Sequence, residues 1–291
     1  MDYIGRFAPS PTGPLHYGSL VAALASFLDA RHAGGKWLLR IEDLDPPRES
    51  IDAAPEIIRQ LLALGLQWDL EVLYQSARLK SYDAALESIK KFTFSCTCSR
   101  KAISDIYPGT CRLKKNIPPG EPYAFRLQVP KHRVSIIDRG LGLLTWDLEK
   151  KVGDFIIKRK DGLHAYQLAV VVDDIYYSVS HIVRGNDLLD STPRQLALYN
   201  RLEASPPEYL HIPVLVDKSG NKLSKQAQAK PVDTSDTLTT IRSALSDLGQ
   251  DTHEHSLNIK ELLEKAAASW NPATIPNVHD ICAPNAYLRN Q

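Results

Sequence analysis

Two short segments carry the residue types that a nucleotide site needs. Near the N-terminus runs Arg6-Phe7-Ala8-Pro9-Ser10-Pro11-Thr12-Gly13-Pro14-Leu15-His16-Tyr17-Gly18-Ser19, and 206 positions beyond His16 begins Lys222-Leu223-Ser224-Lys225-Gln226. In the first, prolines 9, 11 and 14 stiffen a loop, while Gly13 and Gly18 let the backbone approach a ligand closely. A helix opening at Ser19 would offer unpaired N–H groups and a positive dipole end to phosphate. His16 can donate a hydrogen bond to a phosphoryl oxygen as charge develops there. In the second segment, Ser219-Gly220-Asn221 supplies a turn before two lysines and a serine. Such a cation can meet a pyrophosphate mainly in the transition state, which is where binding accelerates a reaction.

A third cluster reads Cys96-Thr97-Cys98 followed by Tyr107-Pro108-Gly109-Thr110-Cys111. Three of the four cysteines fall within 16 residues, a pattern that suits metal binding in a reducing compartment better than a disulfide framework. A closed zinc site wants four ligands. His132, 21 residues past Cys111, a water or an oxygen ligand are the candidates for the fourth, and three reduced buried thiols are the plainer alternative. Cys282 stands apart and is expected to pack in the interior.

The elements that must position these groups read as an α/β arrangement. Tyr3–Phe7 and Lys36–Ile41 read as strands, and helices are expected from Ser19 to Arg31 and from Ala53 to Leu64. That alternation predicts a parallel sheet with crossover helices, which places ligands at the carboxyl ends of the strands. The stretch from Leu86 to Leu163 breaks the rhythm with the cysteine cluster, a Pro-Pro-Gly loop and short β-like runs at Val134–Ile137 and Phe155–Lys158. Alternation resumes with strands expected at Leu168–Val172, His181–Val183 and His211–Asp217 and a helix over Thr192–Leu202. The expected division is 1–85 and 164–230 for the two halves of the sheet domain, 86–163 for an inserted subdomain, and 231–291 for a small helical module.

Composition sets limits. The 291 residues are 43% hydrophobic and 24% charged, ordinary for a globular chain able to bury a large core. No apolar run approaches 18 residues and no basic-then-apolar leader appears, so neither a membrane span nor a secretory signal is expected, and the cytoplasm is the expected compartment. The net charge of +1 conceals an asymmetry: residues 86–163 hold 16 Lys/Arg against 8 Asp/Glu. A basic middle segment suggests an anionic partner such as a nucleic-acid backbone, or simply a solvated charged face.

The motifs resemble those of class I aminoacyl-tRNA synthetases of the glutamyl/glutaminyl branch. His16-Tyr17-Gly18-Ser19 stands where the family has its "HIGH" motif, and Lys222-Leu223-Ser224-Lys225-Gln226 where it has "KMSKS". Serine replaces the final histidine of the first, and leucine and glutamine replace methionine and serine in the second. The resemblance implies a Rossmann-type catalytic domain in which Pro9, His16, Gly18, Ser19, Lys222, Ser224 and Lys225 bind ATP. His16 and Lys225 would act catalytically. It further implies that Arg6, Ala8, Ser10, Glu42, Tyr166 and Arg184 hold L-glutamate, with Glu42 on its ammonium. Arginine suits a carboxylate through its planar fork of donors. Asp43 and Asp45 read as loop or capping acids.

The cysteine segment resembles that of the short, truncated paralogues of glutamyl-tRNA synthetase that act on a modified tRNA base. By that resemblance Tyr107 joins Cys96, Cys98 and Cys111 around a structural Zn²⁺, which would hold the phenol as phenolate. The resemblance covers the chain to about residue 230, and the 66 residues after Lys225 are too few for an anticodon-binding domain. It implies ATP- and Mg²⁺-dependent formation of glutamyl-adenylate without tRNA, then transfer of glutamate to queuosine at the wobble position of tRNA(Asp). Two rivals are a minimal synthetase charging the 3′ end of tRNA(Glu) and a non-catalytic tRNA-binding regulator. The retained His16, Lys225, Glu42 and Arg184 oppose the regulator. A monomer is expected, and the sequence nominates no general base for the transfer.

Overall fold

The computed structural model describes residues 2–99, 102–103, 106–114, 117–220, 222, 230–284 and 287. The first half runs β1 (Ile4–Phe7), α1 (Tyr17–His32), β2 (Lys36–Ile41), α2 (Ala53–Ala63), β3 (Leu73–Tyr74) and α3 (Leu79–Ser88). The middle holds β4 (Thr93–Cys96), β5 (Ala124–Leu127), β6 (Arg133–Asp138), β7 (Gly142–Asp147) and β8 (Phe155–Lys158). Then follow α4 (Tyr166–Tyr176), β9 (His181–Gly185), α5 (Thr192–Arg201), β10 (Glu208–Ile212) and β11 (Val214–Val216). The chain continues through α6 (Thr237–Asp247), α7 (Ile259–Ser269) and β12 (Asp280–Cys282).

β1, β2 and β3 pair in parallel, with Ile4 opposite Lys36 and Arg40 opposite Leu73. β9 and β10 form a second parallel pair. Ser180 joins the two: its N–H donates to the Ile4 carbonyl at 2.9 Å, and its Oγ accepts from the Ile4 N–H at 2.8 Å. The carboxyl ends of β1, β2, β9 and β10 therefore gather at one edge. In the middle, β4, β5 and β8 form an antiparallel sheet and β6 and β7 a six-residue hairpin.

Helix α1 is apolar on nearly every face, as a central helix must be. Leu20, Val21, Leu24, Ala25 and Leu28 are all buried. Its one acid, Asp29, is buried and fully satisfied. It accepts from Tyr3 Oη, from both terminal nitrogens of Arg139 (2.6 and 2.8 Å) and from Trp270 Nε1 (2.8 Å). That carboxylate clips β1, the tip of the β6–β7 hairpin and the end of α7 to one helix. α6 and α7 bury Ile241, Leu245, Leu262 and Leu263 in the same cluster as Leu24 and Leu28.

Four sequence expectations need correction. Leu168–Val172 is not a strand but the middle of α4. Leu168, Ala169, Val170 and Val171 are all buried, and a run buried on every side carries no periodicity to separate helix from strand. His211–Asp217 is two strands, because Pro213 has no N–H to continue a ladder; β10 pairs with β9, and β11 with β12. α1 starts at Tyr17, with His16 as its N-cap in place of Ser19. Cys282 is exposed rather than packed inside. No helix among the described residues is long and apolar enough to cross a membrane.

Candidate active site

The loop after β1 is held from both sides. Glu42 N–H donates to the Pro9 carbonyl and Ser50 N–H to the Pro11 carbonyl, each at 3.0 Å. Leu15 N–H reaches the buried Gln60 Oε1 at 2.7 Å. His16 then caps α1: its Nδ1 accepts from the Ser19 N–H at 3.2 Å. An imidazole that accepts through Nδ1 carries its proton on Nε2 when neutral, and Nε2 lies 2.9 Å from Ser19 Oγ. The ring is thus pinned over the first turn of the helix. A Cβ at position 18 would sit 3.3 Å from that ring, which is why glycine suits it.

A cavity of about 400 Å³ opens where the sheet edge meets this loop. Arg6, Ala8, Ser10, Glu42, Tyr166 and Arg184 all line it. So do Pro9, His16, Gly18, Ser19 and Lys222, together with Asp187. Ser224 and Lys225 lie outside the described residues. The anchors of their segment do not: Lys222 forms an ion pair with Asp187, and Val232 N–H donates to the Leu15 carbonyl at 2.8 Å. Lys222 thus lines the same cavity as His16, and Val232 lies against the loop that precedes His16.

Beneath the cavity floor lies a buried charge network that sequence reasoning missed. Arg40, on β2, donates from Nη1 to Asp174 at 2.6 Å and from Nη2 to Glu42 at 3.3 Å. Arg6 is 5% exposed, and its sole ion pair among the described residues is with Asp174, at 3.6 Å; its Nε has no hydrogen-bond partner. Asp173 accepts from Gln75 (2.8 Å), Arg78 (2.7 Å) and Tyr82 (2.9 Å). The available signal was the pair Asp173-Asp174 closing an apolar run, since acids are rarely fully buried unless paired. Burial pushes the Glu42 carboxyl up to about 7, against the pull of Arg40 and Arg6. Burial and the nearby Glu42 also raise the Tyr166 phenol, so it stays protonated and able to donate.

Arg184, at the end of β9, is aimed by three buried groups. Nη1 donates to Gln195 Oε1 and Nη2 to Thr192 Oγ1, each at 2.8 Å. Nε donates to His211 Nε2 at 3.2 Å, and His211 Nδ1 lies 2.6 Å from Asp138 Oδ2. Burial lowers the His211 pKa, and the hydrogen bond to Asp138 does not overcome it. The ring is neutral, donating through Nδ1 and accepting through Nε2.

The cysteine cluster is also assembled. The sulfurs of Cys96, Cys98 and Cys111 all lie within 4.8 Å of one another, with Cys98 and Cys111 at 3.5 Å. Tyr107 Oη sits 3.5 Å from the Cys96 sulfur and 3.7 Å from that of Cys98, and accepts from the Cys111 N–H at 2.8 Å. A four-coordinate zinc with Zn–S near 2.3 Å has tetrahedral edges of about 3.8 Å. The donor set and its spacing fit such an ion, with the phenol oxygen at the fourth corner. His132 is exposed and is not part of the group. Burial opposes ionisation of the Cys111 thiol, but hydrogen bonds from Tyr107, a backbone N–H and the neighbouring thiols bring it down to about 7.

The comparisons with known proteins agree with this geometry. Residues 4–245 match the family "tRNA synthetases class I (E and Q), catalytic domain". A Pseudomonas putida protein named "Glutamyl-Q tRNA(Asp) synthetase" is 48% identical over 295 residues, covering 99% of this chain and 97% of its own. One of the same name from Chromobacterium violaceum is 48% identical over 94% of this chain and 95% of its own. The solved glutamate–tRNA synthetase of Elizabethkingia anophelis superposes with a TM-score of 0.82 at 22% identity, over 99% of this chain and 69% of that longer one. At that identity it speaks for the fold alone. This chain belongs to the class I tRNA synthetases of the E and Q type, within the glutamyl-Q tRNA(Asp) synthetase group.

Proposed function

We propose that the cavity activates L-glutamate with ATP and Mg²⁺ and that the enzyme passes it to queuosine at the wobble position of tRNA(Asp). The observation that carries this reading is Arg6: a buried guanidinium with an orphaned Nε, in the same cavity as the buried Glu42. Arg6 and Glu42 have only long pairings, with Asp174 at 3.6 Å and Arg40 at 3.3 Å, and buried charges are costly unless well paired, so the cavity suits a ligand bringing both signs. Glutamate does, with its ammonium toward Glu42 and a carboxylate toward Arg6 and Arg184, while Tyr166, Ala8 and Ser10 complete the wall. The name shared by relatives 48% identical over almost the whole of both chains supports queuosine as the acceptor.

The α-carboxylate of glutamate attacks the α-phosphorus of ATP in line, forming glutamyl-adenylate and releasing pyrophosphate. Positioning and charge stabilisation do most of the work in such transfers. His16, Gly18, Ser19 and Pro9 take the nucleotide and its phosphates, and Lys222, Ser224 and Lys225 the departing pyrophosphate. The Lys222–Asp187 ion pair holds the entry of that segment until the nucleotide competes for the lysine. Cys96, Cys98, Cys111 and Tyr107 would hold a structural Zn²⁺, fixing the 107–111 loop to the end of β4. The inserted segment 86–163, with its excess of basic residues, meets tRNA; 1–85 and 164–230 form the catalytic unit and 231–291 braces it. The enzyme works as a monomer in the cytoplasm, where reduced thiols suit the metal site.

The test is transfer of labelled glutamate to bulk tRNA with and without queuosine. Periodate pretreatment, which destroys free cis-diols at the 3′ terminus and on queuosine alike, is run alongside. Incorporation confined to queuosine-bearing tRNA(Asp) is expected. Label on the 3′ end of tRNA(Glu) regardless of queuosine would instead make this a charging enzyme.

A further inference from the structure

Beyond Glu42 and Tyr166 the glutamate cavity continues into a second, larger one of about 610 Å³. The two share Ser10, Thr12, Glu42 and Tyr166, so they meet where the amino acid sits. His16 and Lys222, the residues proposed to meet the nucleotide phosphates, line only the first. An activated carboxyl held between them has pyrophosphate leaving on one side, and open space for an acceptor on the other. A volume of several hundred cubic ångströms is that of a site for one small molecule or one extruded nucleoside.

The walls say what kind of acceptor fits. Asp45 is neutralised twice, by Arg48 and by Arg159 at 3.4 Å. Glu49 is not: its Oε1 accepts from the Asp45 N–H at 2.6 Å, and it forms no ion pair among the described residues. Partial burial, helped by the nearby Asp43 and Asp45, raises its pKa against the pull of the Asp45 N–H and of Arg48, which is itself paired with Asp45. A carboxylate with no ion pair of its own among the described residues favours an acceptor that brings positive charge to it over one that does not. The neutral ribose of a 3′-terminal adenosine does not. The side chain of queuosine does, because its cyclopentenediol is joined to the deazaguanine through a secondary amine that is protonated at neutral pH.

We infer that the second cavity is the acceptor-nucleoside site and that Glu49 receives the acceptor's secondary ammonium. This rests on the reading of the enzyme as one that glutamylates queuosine. The diol lies innermost, beside Glu42 and Tyr166, and the base outermost, where the Arg48 and Arg159 guanidinium planes can stack on it. One diol oxygen attacks the glutamyl carbonyl carbon. The ester C–O bond forms, the carbonyl C–O bond to the phosphate breaks, and AMP leaves with the bonding pair. The hydroxyl proton passes to the departing phosphate or to water. Glu49 is a specificity-determining residue, separating queuosine from an unmodified guanosine that lacks the amine.

Glu49→Gln tests this, since glutamine keeps the oxygen that accepts from Asp45 and removes only the charge. Steady-state transfer to queuosine-bearing tRNA(Asp) is measured beside glutamate-dependent ATP–pyrophosphate exchange without tRNA. The expected result is a KM for the tRNA raised about tenfold or more, the scale of one charge-assisted hydrogen bond, with exchange changed less than twofold. Glu49→Asp, which keeps the charge, is expected to recover most of the loss. Wild-type KM and kcat in the glutamine variant would overturn the assignment. So would an equal fall in exchange and transfer, which would mark a structural role. If the wild-type enzyme runs exchange but transfers nothing to queuosine-bearing tRNA, the functional reading fails and takes this one with it.

Discussion

His211 Nε2 accepts a hydrogen bond from Arg184 Nε at 3.2 Å, and it can do so only because its other nitrogen donates to Asp138. The tautomer is set by a residue on the hairpin, and the aim of a cavity arginine is set by the tautomer. His211→Ala would leave a buried guanidinium N–H without its acceptor and Asp138 Oδ2 without the ring N–H, while Asp138 Oδ1 keeps its backbone donors. Each such orphan costs about 1–3 kcal/mol. The expected outcome is a lower melting temperature together with a KM for glutamate raised more than kcat is lowered. Steady-state exchange kinetics alongside a thermal melt read both; an unchanged KM in a folded variant would separate Arg184 from glutamate.

With the substrate ammonium placed at Glu42 as proposed, glutamate binding is expected to depend on pH. Its carboxyl titrates at about 7 in the free site because burial outweighs Arg40 and Arg6. An incoming ammonium needs the carboxylate, so the bound state holds Glu42 ionised well below 7. The sign follows: the free enzyme carries a proton that the complex does not, and affinity falls as pH drops below 7. Between pH 8 and pH 6 the loss is about tenfold. Calorimetry near neutral pH in buffers of different ionisation enthalpy is expected to show about half a proton released per glutamate bound. Proton uptake, or none at all, would remove Glu42 from the ammonium.

How much of this was legible in the sequence depends on what kind of contact did the work. His16, Glu42 and Arg6 stand at strand ends and in a Pro/Gly-broken loop, where local pattern and chemistry coincide, and the fold brings them to one cavity. Arg40, Asp174, His211 and Asp138 were not legible, because their roles exist only through partners far apart in the chain. Arg40 and Asp174 are 134 positions apart. α4 was misread for a related reason: a valine-rich run buried on all sides looks the same as a buried strand. Asp45 looked like a loop acid and nothing in the sequence singled out Glu49; only the continuity of two cavities gives Glu49 a use.

Lys225 is expected to act on the leaving group and not on the amino acid. Its segment is anchored through Lys222, which pairs with Asp187 and lines the cavity beside the residues proposed to take the nucleotide. Lys225→Ala should slow glutamyl-adenylate formation by about 10²-fold or more, the scale of losing one preorganised charge stabiliser. Glutamate affinity should stay within about twofold, because that interaction strengthens only as pyrophosphate departs. Rapid-quench measurement of pyrophosphate release, with equilibrium binding of glutamate, separates the two. A burst at the wild-type rate would remove Lys225 from the chemistry.

The cysteine cluster leads to a metal prediction that turns on the phenol. Cys96, Cys98 and Cys111 supply three sulfurs, and Tyr107 Oη occupies the remaining corner at distances a tetrahedral ion would bridge. One zinc per chain is therefore expected in purified enzyme. Tyr107→Phe removes the fourth ligand while keeping the ring that packs against Arg126, whose guanidinium lies 4.0 Å from its centroid. The variant should still fold and still bind zinc through three thiolates, but a chromophoric chelator should extract the metal at least tenfold faster. Cys98→Ser should lower the stoichiometry itself. Since the cluster lies at the end of β4, metal loss should weaken tRNA transfer before it touches ATP–pyrophosphate exchange. If Tyr107→Phe loses metal no faster than wild type, the phenol is not the fourth ligand; if the wild-type enzyme carries well under one zinc per chain, the three cysteines are simply reduced thiols.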